Sequence, residues 1–203
     1  MRTEIAQIRE LVKTGTKENI LIAFELGRGL GYFMSKILAD FVPLLGRRPL
    51  TRDYLIALFQ QTELDLSNSG LSELPPILFE VELPKMRHLN LSNNHLQALP
   101  SKLGELSQLE TLNLNHNKLT DLPSAFANLE DLFELKLTNN QFNRFPSALY
   151  SLKKLGRLHM ASNSLNFFPS KVLEMGTLGF LDLRYNGIAK YQIPVRDRWW
   201  IKL

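Results

Sequence analysis

The chain has 203 residues, with 24 Lys and Arg against 20 Asp and Glu, 44% hydrophobic and 9% aromatic residues, and no cysteine. This length holds one large domain or a domain with an appendage, and the absence of cysteine excludes a disulfide framework, thiolate metal ligands, iron–sulfur clusters and a cysteine nucleophile. A net charge of +4 over the whole chain is too shallow a field to imply nucleic acid.

At the N-terminus, MRTEIAQIRE interleaves charged and apolar residues from the second position, so no secretory signal is expected. The most apolar window, Ile20 to Leu45, contains Glu25, Arg28, Lys36 and Asp40, which makes a bilayer-spanning helix too costly. No membrane insertion is expected, and the cysteine-free composition fits a cytoplasmic protein. Helix signals recur through this region. Ile5, Ile8, Leu11 and Val12 fall at helical spacing, Gly15 is a stop, and Thr16 is an N-cap for a second helix through Ile20, Phe24 and Leu26. A third helix follows in Tyr32 to Val42, and Thr51 caps a fourth holding Tyr54, Leu55, Leu58 and Phe59. Residues 1–60 are therefore read as an α-helical N-terminal capping domain. Arg47, Arg48 and Arg52 form its one basic cluster, which reads as a solvated loop.

Leucine decides the rest: of 41 leucines, 31 follow residue 60. Leu64, Leu89, Leu112, Leu135, Leu158 and Leu181 are spaced by 25, 23, 23, 23 and 23 residues, each followed two positions on by Leu66, Leu91, Leu114, Leu137, Met160 or Leu183. Five positions after each starting leucine stands Ser69, Asn94, Asn117, Asn140, Asn163 or Asn186. An apolar–proline pair closes five of the six units, from Leu74-Pro75 to Phe168-Pro169. The LxL core alternates, so it predicts a short strand with its leucines turned inward. The recurrent asparagine carries both a donor and an acceptor and is expected to form a buried ladder that satisfies backbone groups of adjacent turns. Proline suits the first position of a helical turn, where its missing N–H is no loss.

These positions match LxxLxLxxNxLxxLPxxLxxLxxL, and the chain resembles the leucine-rich repeat family, closest to its 23-residue, LP-containing class of bacterial proteins and intracellular signalling scaffolds. The segment TKENILIAFELGRGLG is similar to helices that precede repeats in proteins of Bacteroidetes-type bacteria. The resemblance implies an α/β fold: a right-handed solenoid with a curved parallel sheet and short helical or 3₁₀ convex turns. It places six repeats over residues 61–188, followed by a C-terminal cap over 189–203 in which Tyr191, Ile193, Trp199, Trp200 and Ile201 cover the last turn. It also implies binding rather than catalysis, with a protein or peptide held on the strand face.

No chemistry competes with that reading. GRGLG at Gly27, Gly29 and Gly31 is not GxGxxG and follows no strand, and GxxxxGK[ST] is absent. His88, His95, His116 and His159 sit on different repeats or turns, so no metal site is expected, and no nucleophile elbow accompanies any serine. The expectation is a non-enzymatic protein without cofactors.

The outward positions change character along the stack. Repeat one is acidic (Glu63, Asp65), repeats two and three are rich in amides, and repeats five and six carry arginine and the aromatics. Anchoring energy usually concentrates in aromatic and arginine side chains, so the candidate binding residues are Arg157, His159, Phe180, Asp182, Arg184 and Tyr185, a mixture suited to an acidic or amphipathic segment. Two alternatives stay open: the helical N-terminal segment as the interaction site with the repeats as scaffold, or a small polar or carbohydrate ligand on Asn90, Asn113, Asn115 and His116.

Overall fold

The structure, a computed structural model, describes residues 62–74, 86–189, 192–194 and 200–203. The expected helical cap over 1–60 lies outside the described residues, as do Tyr191 and Trp199 of the expected C-terminal cap.

Seven short strands form one parallel sheet in sequence order: β1 (Glu63–Asp65), β2 (His88–Asn90), β3 (Thr111–Asn113), β4 (Glu134–Lys136), β5 (Arg157–His159), β6 (Phe180–Asp182) and β7 (Ile201–Lys202). The register is the repeat itself: Leu64, Leu89, Leu112, Leu135, Leu158 and Leu181 stand side by side, so each outward column is a straight line across the sheet. The four returns from β2 to β6 are five-residue 3₁₀ turns, Ser101–Glu105, Ser124–Asn128, Ser147–Ser151 and Ser170–Glu174. The leucines of strands and turns, with Phe126 and Phe142, fill one continuous core.

Two features depart from expectation. Proline precedes each turn rather than opening it: Pro100, at φ −69° and ψ 146°, is extended, and its carbonyl accepts the first turn bond from Leu103 N at 3.0 Å. The ring thus fixes the entry angle while its carbonyl, not its missing N–H, does the capping. The C-terminal segment is also more than a cover. Ile201–Lys202 continues the sheet as a seventh strand, since the open edge of β6 offers unpaired backbone groups that Leu181 N and Leu183 N satisfy on Trp200 and Lys202 carbonyls. Ile193 and Ile201 are buried and Trp200 packs against the core.

The asparagine ladder is present. Asn140 Oδ1 accepts from Leu119 N at 3.0 Å, while its Nδ2 donates to the Leu114 and Leu137 carbonyls at 2.9 and 3.1 Å. Asn94, Asn117, Asn163 and Asn186 repeat the arrangement. Asn94, Asn117 and Asn140 are buried, whereas Asn163 and Asn186 are half-buried. Ser69 cannot span the gap; its hydroxyl reaches only the Ser67 carbonyl at 3.4 Å.

Candidate functional site

The concave face consists of the two residues flanking each inward leucine and the turn that follows. That turn has a device of its own at four strand ends. Asp65, Asn90, Asn113 and Asp182 each accept the backbone N–H two residues on, at 2.8 to 3.2 Å, forming Asx turns. In β4 and β5 the same column holds Lys136 and His159, which leave that task to others; Thr138 N is taken by Asn115 Oδ1 of the preceding repeat at 2.8 Å. Lys136 lines an open groove over β1 to β4, and His159 Nε2 stands 3.2 Å from Glu134 Oε1.

One step further along, all six repeats place a non-glycine residue in the left-handed region: Asn68, Asn93, His116, Asn139, Ser162 and Tyr185, with φ between 53° and 57°. Asparagine and histidine tolerate this conformation; tyrosine does so at a cost. Tyr185 is nonetheless 78% exposed.

The candidate residues fall into two groups. Around Glu134, Lys136 Nζ approaches Oε2 at 3.2 Å, while Arg157 Nε and His159 Nε2 approach Oε1 at 3.6 and 3.2 Å. Phe180 lies beside them, its ring centroid 5.6 Å from the Arg157 guanidinium carbon and 5.0 Å from the His159 ring. Burial, the largest single influence on Glu134, pushes its carboxyl up, but hydrogen bonding and charge from Lys136 and His159 together leave it below the ordinary value. The second group is Asp182 with Arg184. Asp182 is only 4% exposed and binds the guanidinium through Nε at 2.9 Å and Nη2 at 2.7 Å. Burial again acts upward, and the Arg184 side chain, backbone N–H and charge overcome it, so the carboxyl is depressed. Arg184 is therefore an internal partner of Asp182 before it is an anchor for anything else.

Arg157, His159 and Phe180 are brought together as the column reading suggested, with Tyr185 at the adjoining turn. Glu134 and Lys136, absent from the candidate set, belong with them; both stand in the same two columns, and adjacency across the register was the signal. The amide set is not assembled. Asn90 and Asn113 line an open groove of about 730 Å³ over β1 to β4, with Glu63, Asp65, His88 and Lys136, whereas Asn115 and His116 lie outside its lining. This groove holds none of the aromatic or arginine candidates.

Among the described residues, no cluster of histidine and acidic side chains could hold a metal ion, and no helix is long and apolar enough to cross a membrane.

The comparisons with known proteins agree with this architecture. A leucine-rich repeat protein of Leptospira interrogans shares 30% identity, with a TM-score of 0.63 over 69% of this chain and 36% of that one. A stretch of 68 residues is 41% identical to an adenylate cyclase of Mycosarcoma maydis, covering 32% of this chain and 3% of that protein. The chain thus spans about a third of the solved relative and a small fraction of the cyclase. The family model for a leucine-rich repeat region matches residues 64–190, more than half of the sequence, and the chain belongs to the leucine-rich repeat family.

Proposed function

We propose that this protein is a non-catalytic recognition module that binds another protein or peptide on its concave face, with the energetic centre over β5 and β6. Leucine-rich repeat proteins generally mediate protein–protein interaction. The observation that carries the placement is the Arg157–Phe180 stack beside the exposed, conformationally costly Tyr185, since aromatic and arginine side chains anchored on a rigid surface are the usual hot spots. The sheet spans roughly 29 Å at about 4.8 Å per strand spacing, which suits a single helix, loop or peptide. The repeat fold supports the non-enzymatic reading, and the cyclase match covers only 3% of that protein. The lack of cysteine supports a cytoplasmic setting.

The test is affinity capture from a lysate with wild type against Arg157→Ala combined with Tyr185→Ala. A specific partner should be lost or weakened at least about tenfold, roughly 1.4 kcal/mol. Undiminished capture by a folded double variant places the site elsewhere. A second reading, a small polar ligand in the β1–β4 groove, draws support from that groove's volume and its amide lining. Saturable binding of a polar ligand abolished by Asn113→Leu would favour it.

A further inference from the structure

Building on the concave-face reading, we propose that β4 to β7 dock an acidic segment of the partner, one carboxylate of which enters the cluster formed by Lys136, Arg157 and His159 around Glu134. The cluster is short of negative charge. One carboxylate, Glu134, is shared by two permanent cations and an imidazole at 3.2 to 3.6 Å. The other acid on this part of the face, Asp182, is buried and fully engaged by the side chain and backbone N–H of Arg184. Lys202, in register beside Asp182, is exposed. Among the described residues, the concave positions of this half therefore present Lys136, Arg157, Arg184 and Lys202 against Glu134 and Asp182.

The geometry is open to a second carboxylate. Arg157 turns Nε toward Glu134 and rests on Phe180, and its terminal nitrogens have no hydrogen-bond partner among the described residues. Phe180 holds the guanidinium in place, so less side-chain freedom is lost when an acid arrives. At the opposite end of the same face Glu63 and Asp65 repel an acidic chain, which confines it to β4 to β7.

The probe is a random dodecapeptide library displayed on phage and panned against the full chain at neutral pH. Recovered peptides should be rich in Asp and Glu and lose at least tenfold in affinity on Arg157→Ala. Glu134→Gln, which removes the internal competitor, should tighten them about threefold or more, a gain that a damaged fold cannot produce. Peptides that are not acidic but lose binding on Tyr185→Ala overturn this inference and leave the concave-face reading standing. Peptides indifferent to every concave substitution overturn both, and acidic peptides weakened by Glu134→Gln overturn the proposed role of the cluster.

Discussion

Gly104 lies against the carbonyl of Ala125, one repeat further on: a Cβ built on Gly104 would stand 2.7 Å from that carbonyl carbon and closer still to its oxygen. The two residues belong to the neighbouring 3₁₀ turns Ser101–Glu105 and Ser124–Asn128, so the convex layer packs there backbone to backbone. A carbonyl in a turn cannot swing aside as a side chain can. Gly104→Ala should therefore destabilise the stack by about 1–3 kcal/mol through overpacking. Gly176, with open space where a Cβ would go, is the control: Gly176→Ala should stay within about 0.5 kcal/mol of wild type. Denaturant midpoints of the two variants decide the matter, and equal midpoints would remove the packing argument.

The ladder gives a second expectation. Asn140→Ala leaves Leu119 N without its side-chain acceptor in a buried setting and removes one of two amide donors from each of the Leu114 and Leu137 carbonyls, which keep those of Asn117 and Asn163, and should cost about 1–3 kcal/mol. Ser69→Ala, which gives up one 3.4 Å bond in a half-buried position, should cost less than about 0.5 kcal/mol. Thermal melts that rank the two the other way would show that the ladder does not hold the turns.

Most of this scaffold was legible in the sequence because a solenoid writes its register as a period. LxL, the asparagine and the proline each recur at the spacing that later became strand, ladder and turn entry. What stayed hidden has physical reasons. The strand Ile201–Lys202 carries no repeat, and its pairing is imposed by the open edge of β6 rather than by its own pattern. The sharing of Glu134 among Lys136, Arg157 and His159 depends on side-chain directions across two strands, which a linear reading of outward positions does not supply. Asp182 stands at an outward position yet is buried, because Arg184 folds back over it.

That last pair makes stability sensitive to acid. The Asp182 carboxyl is depressed in the folded protein, so its contribution is fully present above the ordinary carboxylate value, about 3.9, and is lost as pH falls through the lower folded value. Asp182→Ala should cost about 1–3 kcal/mol at neutral pH, since Arg184 loses its partner and its backbone N–H loses the Asx acceptor. Asp182→Asn, which keeps an acceptor oxygen, should cost less. The gap between wild type and Asp182→Ala should narrow below about pH 3. Unfolding curves at neutral and acidic pH test it, and a gap that widens in acid reverses the sign of the argument.

The final expectation separates stability from binding at one residue. Tyr185 occupies the left-handed turn position that asparagine fills in repeats one, two and four, at φ 57° against 56° for Asn68, Asn93 and Asn139. Tyrosine gains nothing there from burial, being 78% exposed, and pays in backbone strain what asparagine does not. Tyr185→Asn should accordingly stabilise the fold by about 0.5–1 kcal/mol, as relief of such strain allows. If Tyr185 serves recognition, the same change should weaken a concave-face ligand by about tenfold, the loss expected for an aromatic anchor. The denaturation midpoint and the dissociation constant of a ligand sensitive to Arg157→Ala would be measured on the same preparation. A higher midpoint with unchanged affinity would remove Tyr185 from the binding surface and leave Arg157 and Phe180 to carry it, whereas a lower midpoint would show that the tyrosine ring packs favourably and that strain is not what distinguishes this turn.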